Sequence, residues 1–284
     1  MAVRISDIDK AVDLPVFEPG WVWLAGAGPG DPTLLTVAAY GALRAADVIV
    51  HDALVDARLL KLARNGARLV HAGKRGGKPS PKQIEISQRL VEFARQGQRV
   101  LRLKGGDPFT FGRGSEEVEY LVGAGIPFRI IPGVTAGLGG LAYAGIPATD
   151  RRINHVVTFL TGHAAGGSVP DTIDWDAIAR GSPVIVIYMG IKHLPRISDL
   201  LMKAGRDVHE PLAIISKATT SDQSVIETTL GGAGAIAASA PTPAIIVIGE
   251  VVRLRAGMDW LGALGGKLLS TDPLAMRDGK REVI

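Results

Sequence analysis

Short apolar segments that end in glycine-containing turns recur along the chain, and segments of helical periodicity separate them. In the first half the apolar segments cover residues 21–25, 47–51, 68–71, 100–103 and 127–131. Each has the length of a buried strand, and the segments between them are long enough for crossover helices. This alternation predicts an α/β fold with a mainly parallel sheet and helices on both of its faces.

The second half repeats the pattern and predicts a second α/β domain. Its apolar segments cover residues 155–160, 184–189, 212–216, 224–229 and 244–248. The glycine-rich stretch 132–147 is either a linker or a tightly packed helix. We favour the helix, because Leu138, Leu141, Ala142 and Ile146 are spaced to share one face. The predicted divisions are an N-terminal extension 1–19, an N-terminal domain 20–135, a C-terminal domain 136–257 and a C-terminal tail 258–284.

Two glycine loops follow predicted strands, and each contains an acidic residue. Asp31 stands where the third glycine of a dinucleotide-binding fingerprint would fall, and Asp107 follows Gly105 and Gly106. A carboxylate at the start of a helix repels the phosphates that such a position otherwise attracts. The loops therefore favour a ligand with hydroxyl groups or a cationic centre, such as S-adenosylmethionine. The alternative for Asp107 is a helix N-cap.

Composition and charge limit the function classes. The chain has 284 residues and no cysteine, which excludes disulfides and thiolate metal sites and fits a reducing cytoplasm. No signal peptide or membrane-spanning segment is predicted. The net charge of +4 is spread along the chain and aromatic residues make up 5%. We therefore expect an acidic small molecule as substrate and no nucleic acid.

Two further positions are candidates for chemistry. His51 and Asp52 follow a predicted strand and form either a general-base pair or an ordinary helix cap. Lys74 and Arg75 lie in a glycine-rich loop and either bind substrate carboxylates or face solvent. The six histidines lack the spacing of a metal site, so no metal is expected.

Taken in order, the motifs resemble those of the tetrapyrrole methylase family. The resemblance extends from about Trp21 to Leu264. It rests on Gly26-Ala-Gly-Pro-Gly-Asp-Pro32, Leu34-Leu-Thr36, His51-Asp-Ala-Leu-Val55, Gly73-Lys-Arg75, Arg102-Leu-Lys-Gly-Gly-Asp-Pro-Phe109, Phe111-Gly-Arg-Gly114, Pro132-Gly-Val-Thr-Ala136, Ala144-Gly-Ile-Pro147, Thr161-Gly-His163 and Tyr188-Met-Gly190.

The resemblance implies two α/β domains with an active-site trough between them, and a homodimer. It also implies S-adenosylmethionine as methyl donor and two successive C-methylations of uroporphyrinogen III on neighbouring rings, which give precorrin-2. The members that it resembles most act in cobalamin biosynthesis, and whether the product feeds cobalamin, sirohaem or both is left open.

The resemblance further implies roles for individual residues. Asp52 falls on the proposed proton acceptor and Lys74 on the proposed proton donor. The positions that bind S-adenosylmethionine correspond to Pro29, Gly105, Gly106, Asp107, Thr110, Thr135, Ala136, Met189 and Ala218. We add candidates for the substrate carboxylates, because Arg and Lys pair well with them. These candidates are Lys74, Arg75, Arg113, Arg151 and Arg152.

Three residues depart from the family pattern. Thr110 replaces a bulky aliphatic residue, Ala218 replaces glycine and Asp150 replaces histidine. The first two changes are expected to be mild, whereas the charge of Asp150 is expected to repel a substrate with eight carboxylates. The alternatives to uroporphyrinogen methylation are an NAD(P)-dependent oxidoreductase, a non-enzymatic RNA- or tetrapyrrole-binding module, and another methylase of the same or a related family.

Overall fold

The computed structural model describes residues 12–73, 83–164 and 166–274. The chain forms two compact units, Met1–Thr135 and Ala136–Ile284. Two predicted site residues, Lys74 and Arg75, lie outside the described residues. Each unit is built around its own sheet, and each is described separately below.

The described part of the first unit contains a sheet of five parallel strands. The strands are β1 Val22–Gly26, β2 Val48–His51, β3 Arg68–His71, β4 Val100–Lys104 and β5 Phe128–Ile131. Their order is β3-β2-β4-β1-β5, and every neighbouring pair is parallel. The helices are α1 Val37–Ala45, α2 Ala57–Leu60, α3 Gln83–Arg95 and α4 Gly114–Gly123. The predicted parallel sheet is confirmed.

Both faces of this sheet are covered by helices. Trp23 and Ala25 of β1 belong to one apolar cluster together with Leu43 of α1. Val22 and Leu24 belong to a second cluster, which includes residues of α3 and α4. Successive side chains of a strand point to opposite faces, so an uninterrupted apolar strand predicts burial on both sides.

The connections of β1 and β4 explain why ligand-binding loops are expected at one edge. These two strands are neighbours, but the chain leaves β1 towards β2 and leaves β4 towards β5, in opposite directions across the sheet. In open parallel sheets such a reversal places the exit loops of neighbouring strands on opposite faces and opens a crevice at the carboxyl ends. The glycine loops at Gly26 and Gly105 are these two exits.

Two helices are shorter than their periodicity predicts. The predicted helix from Pro32 to about Ala46 is divided into a 3-10 turn, Pro32–Leu34, and α1. The division arises because Thr36 adopts an extended conformation and caps α1 through the amide of Ala39. The predicted helix 56–65 is reduced to α2, after which the chain continues in turns.

The second unit contains a mixed sheet of five strands among its described residues. The strands are β6 Thr158–Thr161, β7 Ile185–Tyr188, β8 Pro211–Ser216, β9 Ser224–Thr229 and β10 Ala244–Ile248. Their order is β6-β7-β10-β8-β9; β6 and β7 are parallel and the other pairs are antiparallel. The helices are α5 Ala136–Tyr143, α6 Trp175–Gly181, α7 Leu194–Lys203, α8 Ala233–Ala237, α9 Arg255–Met258 and α10 Trp260–Leu264, with 3-10 turns at Ile191–His193 and Glu250–Leu254.

The glycine-rich stretch is a helix, α5, but its predicted packing face is partly wrong. Leu141 is buried as expected, whereas Leu138 and Ala142 are exposed. Gly137 and Gly140 lie on the buried side instead. The absence of side chains at these glycines lets the helix backbone approach the strands more closely than leucines would allow.

The segments next to both termini pack against the units. Phe17, in the predicted extension, stacks on Trp23 with 4.1 Å between ring centroids. In the predicted tail, Asp259 is buried and forms ion pairs with Arg255 at 2.9 Å and Lys267 at 2.8 Å. Hydrophobic or ionic contacts therefore order the parts of these segments that adjoin the two units.

Candidate active site

Three strand exits meet backbone to backbone at the carboxyl edge of the first sheet. The amide of Gly28 donates to the carbonyl of Gly106 at 3.2 Å, and the amide of Gly106 donates back at 2.8 Å. A Cβ atom on Gly133 would lie 2.3 Å from the Gly106 carbonyl oxygen and 2.7 Å from Cα of Gly26. Only glycine leaves room for this approach, so the sequence requirement here is steric.

The carboxylate of Asp107 joins two of these exits. Its Oδ2 accepts a hydrogen bond from the amide of Gly133 at 3.0 Å. Its Oδ1 accepts from the amide of Phe109 at 2.8 Å and from the hydroxyl of Thr110 at 3.2 Å. Asp107 thus closes its own turn and also ties the loop after β4 to the loop after β5. The helix N-cap alternative is wrong, because α4 begins only at Gly114, after Arg113.

The candidate proton acceptor, Asp52, lies at the exit of β2 and is held by Arg102. The amide of Asp52 donates to the Leu103 carbonyl at 3.2 Å, and its Oδ1 accepts from Nη2 of Arg102. A Cβ atom on Gly105 would lie 2.9 Å from Cβ of Leu54. The loop that contains Asp52 therefore lies against the glycine loop after β4.

Two histidines flank Asp52 at the exits of β2 and β3. The ring of His51 donates through Nδ1 to the backbone carbonyl of Asp52 at 3.2 Å, since a carbonyl can only accept. The ring of His71 packs edge-on against it, with 5.2 Å between centroids. Burial lowers the pKa of His51, so the imidazole is neutral near pH 7 and its Nε2 carries a lone pair.

The chain also returns to Asp52 immediately before the predicted residues Lys74 and Arg75. Gly73 lies against the neighbour of Asp52, because a Cβ atom on it would be 2.6 Å from Cβ of Ala53. The amide of Gly73 donates to Nδ1 of His71 at 3.3 Å. Gly73 is the last described residue before Lys74 in the chain.

A buried charge cluster behind Asp52 was not anticipated from the sequence. Arg102 and Glu117 have side-chain exposures of 2% and 0%, and Nε of Arg102 donates to Oε1 of Glu117 at 3.0 Å. Nζ of Lys104 lies 3.2 Å from Oε2 of Glu117. The side-chain amide of Gln83 donates through Nε2 to Oε1 of Glu117 at 2.8 Å. We name Asp52, Arg102, Glu117 and Lys104 the charge cluster.

Protonation within the charge cluster follows from burial and neighbouring charges. Burial opposes the charge of Arg102, but Glu117 and Asp52 outweigh it and raise the pKa of the guanidinium. Burial, followed by repulsion from Arg102, lowers the pKa of Lys104. A sequence signal did exist, because Arg102 and Lys104 alternate in an apolar strand and such cations need a buried acid.

In the second unit, predicted donor-binding residues surround the first turns of α5. The hydroxyl of Tyr188 accepts a hydrogen bond from the Gly137 amide at 2.8 Å and fills the space that a side chain at 137 would need. A Cβ atom on Gly140 would lie 3.0 Å from Cβ of Ala218. Ala136 opens this helix and Met189 directly follows Tyr188, so the exits of β7 and β8 both meet α5.

The turns after β7 and β8 use residues with side chains in left-handed conformations. Met189 has φ 53° and its side chain is 52% exposed. Lys217 and Thr219 have φ 47° and 66° and flank the buried Ala218. Such backbone angles are unusual for residues other than glycine and mark these turns as constrained.

The arginines predicted to bind substrate include two that are paired on the surface. Arg113 donates through Nε to Glu116 at 2.8 Å, and Arg152 donates through Nε to Asp150 at 3.0 Å. The hydrogen bond from Arg152 lowers the pKa of Asp150, whose charge is thus balanced locally. Arg151 is exposed. Exposed ion pairs are weak, so both pairs can open for a stronger ligand.

The structure therefore brings the predicted residues together in two groups. The group in the first unit lies along the carboxyl edge of its sheet, where Pro29 sits in the bend after the Gly28 bridge and Thr135 follows Gly133 by two residues. Its members are Pro29, Asp52, Gly105, Gly106, Asp107, Thr110 and Thr135. The group in the second unit lies around α5. Its members are Ala136, Met189 and Ala218.

Among the described residues, no group of three or more histidine, cysteine or acidic side chains has the geometry to hold a metal ion. In the same part of the chain, no helix combines the length and apolar character needed to cross a membrane. At the carboxyl edge of the first sheet, the groups available for chemistry are the carboxylate of Asp52, which is in an ion pair, and the backbone of the glycine loops beside it.

Comparison with known proteins assigns these features to a family. Residues 22–234 match the family described as Tetrapyrrole (Corrin/Porphyrin) Methylases. A protein of Sinorhizobium sp named Uroporphyrinogen-III C-methyltransferase is 62% identical over 271 residues, 95% of this chain and 97% of its own length. The Siroheme synthase of Sodalis glossinidius is 46% identical over 255 residues, 90% of this chain and 54% of its own length.

A solved structure agrees with this assignment. The Uroporphyrin-III C-methyltransferase of Thermus thermophilus, complexed with S-adenyl homocysteine, is similar with a TM-score of 0.73 and 39% sequence identity. The match covers 82% of this chain and 99% of that chain. The two-sheet architecture is thus that of a solved methyltransferase.

Proposed function

The chain belongs to the tetrapyrrole methylase family, and from that premise we propose that it methylates uroporphyrinogen III with S-adenosylmethionine as donor. Two methyl groups are added to carbon atoms of neighbouring rings, and the product is precorrin-2, formed through precorrin-1. The observation that carries the proposal is the 62% identity to the Sinorhizobium methyltransferase across almost the full length of both proteins.

The chemistry of the donor matches the glycine loops of the first unit. S-adenosylmethionine carries hydroxyls, an ammonium and a sulfonium but no phosphate, and both loops in the first unit contain an acidic residue, Asp31 or Asp107. Backbone groups at Gly28, Gly105 and Gly106 are candidates to hold it because glycine permits close approach. Met189 and Ala218 are the candidates in the second unit.

The reaction needs alignment more than it needs an added catalyst. An electron-rich pyrrole carbon of the substrate attacks the sulfonium methyl; a carbon–carbon bond forms, the carbon–sulfur bond breaks and S-adenosylhomocysteine leaves. Correct orientation of two reactants supplies on the order of 7–11 kcal/mol of such a barrier. No metal is required for this step.

The methylated ring must then lose a proton, and we assign its acceptance to Asp52. The ion pair with Arg102 keeps the carboxylate oriented, and 30% of the Asp52 side chain is exposed and can be reached. Lys74 is the proposed proton donor. Arg75, Arg113, Arg151 and Arg152, together with Lys74, are proposed to bind the substrate carboxylates.

Assembly and location are part of the proposal. We propose a homodimer in the cytoplasm, as the family resemblance and the absence of cysteine favour. Light scattering of the purified chain should give twice the monomer mass. The product is proposed to enter sirohaem or cobalamin biosynthesis.

The decisive experiment is incubation of the enzyme with uroporphyrinogen III and methyl-labelled S-adenosylmethionine, followed by counting of methyl groups per ring system. We expect two. The matched variant Asp52→Ala should bind the donor with unchanged affinity and turn over more slowly. Absence of methyl transfer, combined with tight binding of NADH, would instead support the oxidoreductase alternative.

A further inference from the structure

We propose that Glu117 and Arg102 are positioning residues for the proton loss that completes methylation: Glu117 fixes the guanidinium of Arg102, and Arg102 fixes the carboxylate of Asp52. The inference rests on the proposed function, since Asp52 is the proton acceptor assigned there. It gives a role to the charge cluster beyond holding α4 against the sheet.

The guanidinium of Arg102 is held from several directions. Its Nε donates to Oε1 of Glu117, and Nη1 donates to the carbonyls of Val50 at 3.3 Å and Leu103 at 3.4 Å. The remaining nitrogen, Nη2, donates to Oδ1 of Asp52. A planar group fixed at every nitrogen has one orientation, and that orientation determines where the Asp52 carboxylate lies.

The charge cluster pairs two basic with two acidic side chains, and Asp52 is its most exposed member. Two cations, Arg102 and Lys104, face two carboxylates, Glu117 and Asp52, so the cluster is neutral overall. Three members are nearly inaccessible to solvent, with exposures between 0% and 3%, whereas Asp52 is 30% exposed. The cluster therefore ends at the one carboxylate that a ligand can reach, beside the glycine loop after β4.

Glu117 itself is well placed to act through Arg102. It lies in the first turn of α4, and Gln83 of α3 donates to the same Oε1 that receives Nε of Arg102. Removing a partner from a buried ion pair leaves an uncompensated charge. The guanidinium of Arg102 would then reorient, and Asp52 would lose its fixed position although no atom of Asp52 had changed.

The test is a double-mutant cycle between Glu117→Gln and Asp52→Asn, read by single-turnover formation of the methylated and deprotonated product and by donor affinity. We expect Glu117→Gln to slow product formation about tenfold or more while donor affinity is unchanged. In the Asp52→Asn background the same substitution should change the rate less than twofold. The melting temperature should fall by a similar amount in both backgrounds, because the ion pair with Arg102 is lost in both.

A milder variant keeps the test usable if Glu117→Gln does not fold. Gln83→Met removes only the hydrogen bond to Glu117 and should slow the reaction less, again with the effect lost in the Asp52→Asn background. The matched control is Glu119→Gln, an exposed position on the same helix, which should alter neither rate nor affinity.

Equal slowing by Glu117→Gln in both backgrounds would overturn the positioning role and leave the charge cluster a support for α4. Loss of donor affinity in proportion to the rate would overturn it as well. A wild-type enzyme that transfers no methyl group to uroporphyrinogen III would overturn the proposed function and this inference together. An active wild-type enzyme in which Glu117→Gln and Asp52→Asn act independently would overturn the inference alone.

Discussion

The two groups of predicted donor-binding residues make tight turns in different ways. In the first unit the exits of β1, β4 and β5 turn at glycines, and Gly106 has φ 67°. In the second unit the exits of β7 and β8 turn at Met189, Lys217 and Thr219, which carry side chains and nevertheless have positive φ. Both groups are turns at the ends of strands, yet the glycine exits of the first group have no room for a Cβ atom, whereas Met189, Lys217 and Thr219 carry side chains.

Space accounts for the difference. In the first unit backbone lies against backbone, and a Cβ atom on Gly26 would be 2.4 Å from the Gly106 carbonyl oxygen. At Met189, Lys217 and Thr219 there is room for a side chain, and the left-handed conformation costs about 1–2 kcal/mol per residue. The first group thus offers a ligand its backbone beside the side chain of Asp107, while the second retains side chains such as that of Met189 for contact.

The largest expected effect comes from adding one methyl group to the first group. Gly133→Ala places a Cβ atom 2.3 Å from the Gly106 carbonyl oxygen, and because that neighbour is backbone it cannot rotate away. We expect the free energy of unfolding to fall by about 3 kcal/mol or more. Urea denaturation followed by circular dichroism measures the change.

The matched control for this variant is Gly123→Ala. No atom lies within 4 Å of a Cβ atom at this exposed position at the end of α4. We expect little change or a stabilisation of up to about 1 kcal/mol. If Gly133→Ala proved as mild as the control, the close approach of the three exits would not hold in solution.

The second effect concerns Asp107, which joins two exits of the same group. Asp107→Ala removes the acceptor for the partly buried amide of Gly133 and should lower the free energy of unfolding by about 1–3 kcal/mol. If Asp107 also contacts the ammonium or ribose of the donor, the free energy of donor binding should in addition weaken by roughly 1.5–3 kcal/mol. Thermal unfolding without ligand and calorimetric titration with S-adenosylhomocysteine separate the two effects.

Asp107→Asn is the companion variant, because its amide oxygen retains one acceptor. It should keep more stability than Asp107→Ala while losing the charge that an ammonium would need. Reduced stability together with unchanged donor affinity in both variants would make Asp107 a structural brace alone, as its three hydrogen bonds already permit.

These contrasts also explain what the sequence could predict. Most strand positions followed from short apolar segments, and the β3, β9 and β10 segments were predicted residue for residue although β3 and β9 also contain polar residues. Helix ends were less predictable: the break at Thr36 depends on a local cap that competes with a continuous apolar periodicity. The buried face of α5 was predicted only in part, because Leu141 is buried as expected but glycines carry no hydropathy signal, although they form much of the buried side.

The site was predictable where chemistry is local and not where it depends on partners distant in sequence. Asp107 follows a glycine turn and was recognised as a candidate from its neighbours alone. The contact between Arg102 and Glu117 joins residues 15 positions apart, and that between Arg102 and Asp52 joins residues 50 apart. Two cations in an apolar strand indicated that acids must be buried nearby, but not which acids.

In the second group, one substitution is expected to raise the free energy of unfolding slightly, whereas the variants above lower it. Met189→Gly removes the strain of φ 53° from a half-exposed side chain and should raise the free energy of unfolding by up to about 1 kcal/mol. Because Met189 is a proposed donor contact, donor affinity should fall at the same time. Calorimetry measures donor affinity and urea denaturation measures the free energy of unfolding, both on one preparation. A Met189→Gly variant that is less stable than the wild type would contradict the explanation by backbone strain.

The smallest expected effect compares the response of the two groups to acid. The members of the second group, Ala136, Met189 and Ala218, carry no titrating side chain, whereas His51 lies buried beside Asp52 at the edge of the first sheet. Burial lowers the pKa of His51 below its ordinary value of 6.5, so the unfolded chain takes up a proton at a higher pH than the folded chain does. The stability due to neutral His51 is therefore complete above about pH 6.5 and is lost as the pH falls below it.

We expect the wild type to be less stable at about pH 5.5 than at about pH 7.5, and His51→Gln to reduce that difference. Urea denaturation at both pH values provides the measurement, and an unchanged difference in His51→Gln would mean that His51 is protonated equally in both states. In that case the lowered pKa would be wrong, and the two groups would respond to acid alike.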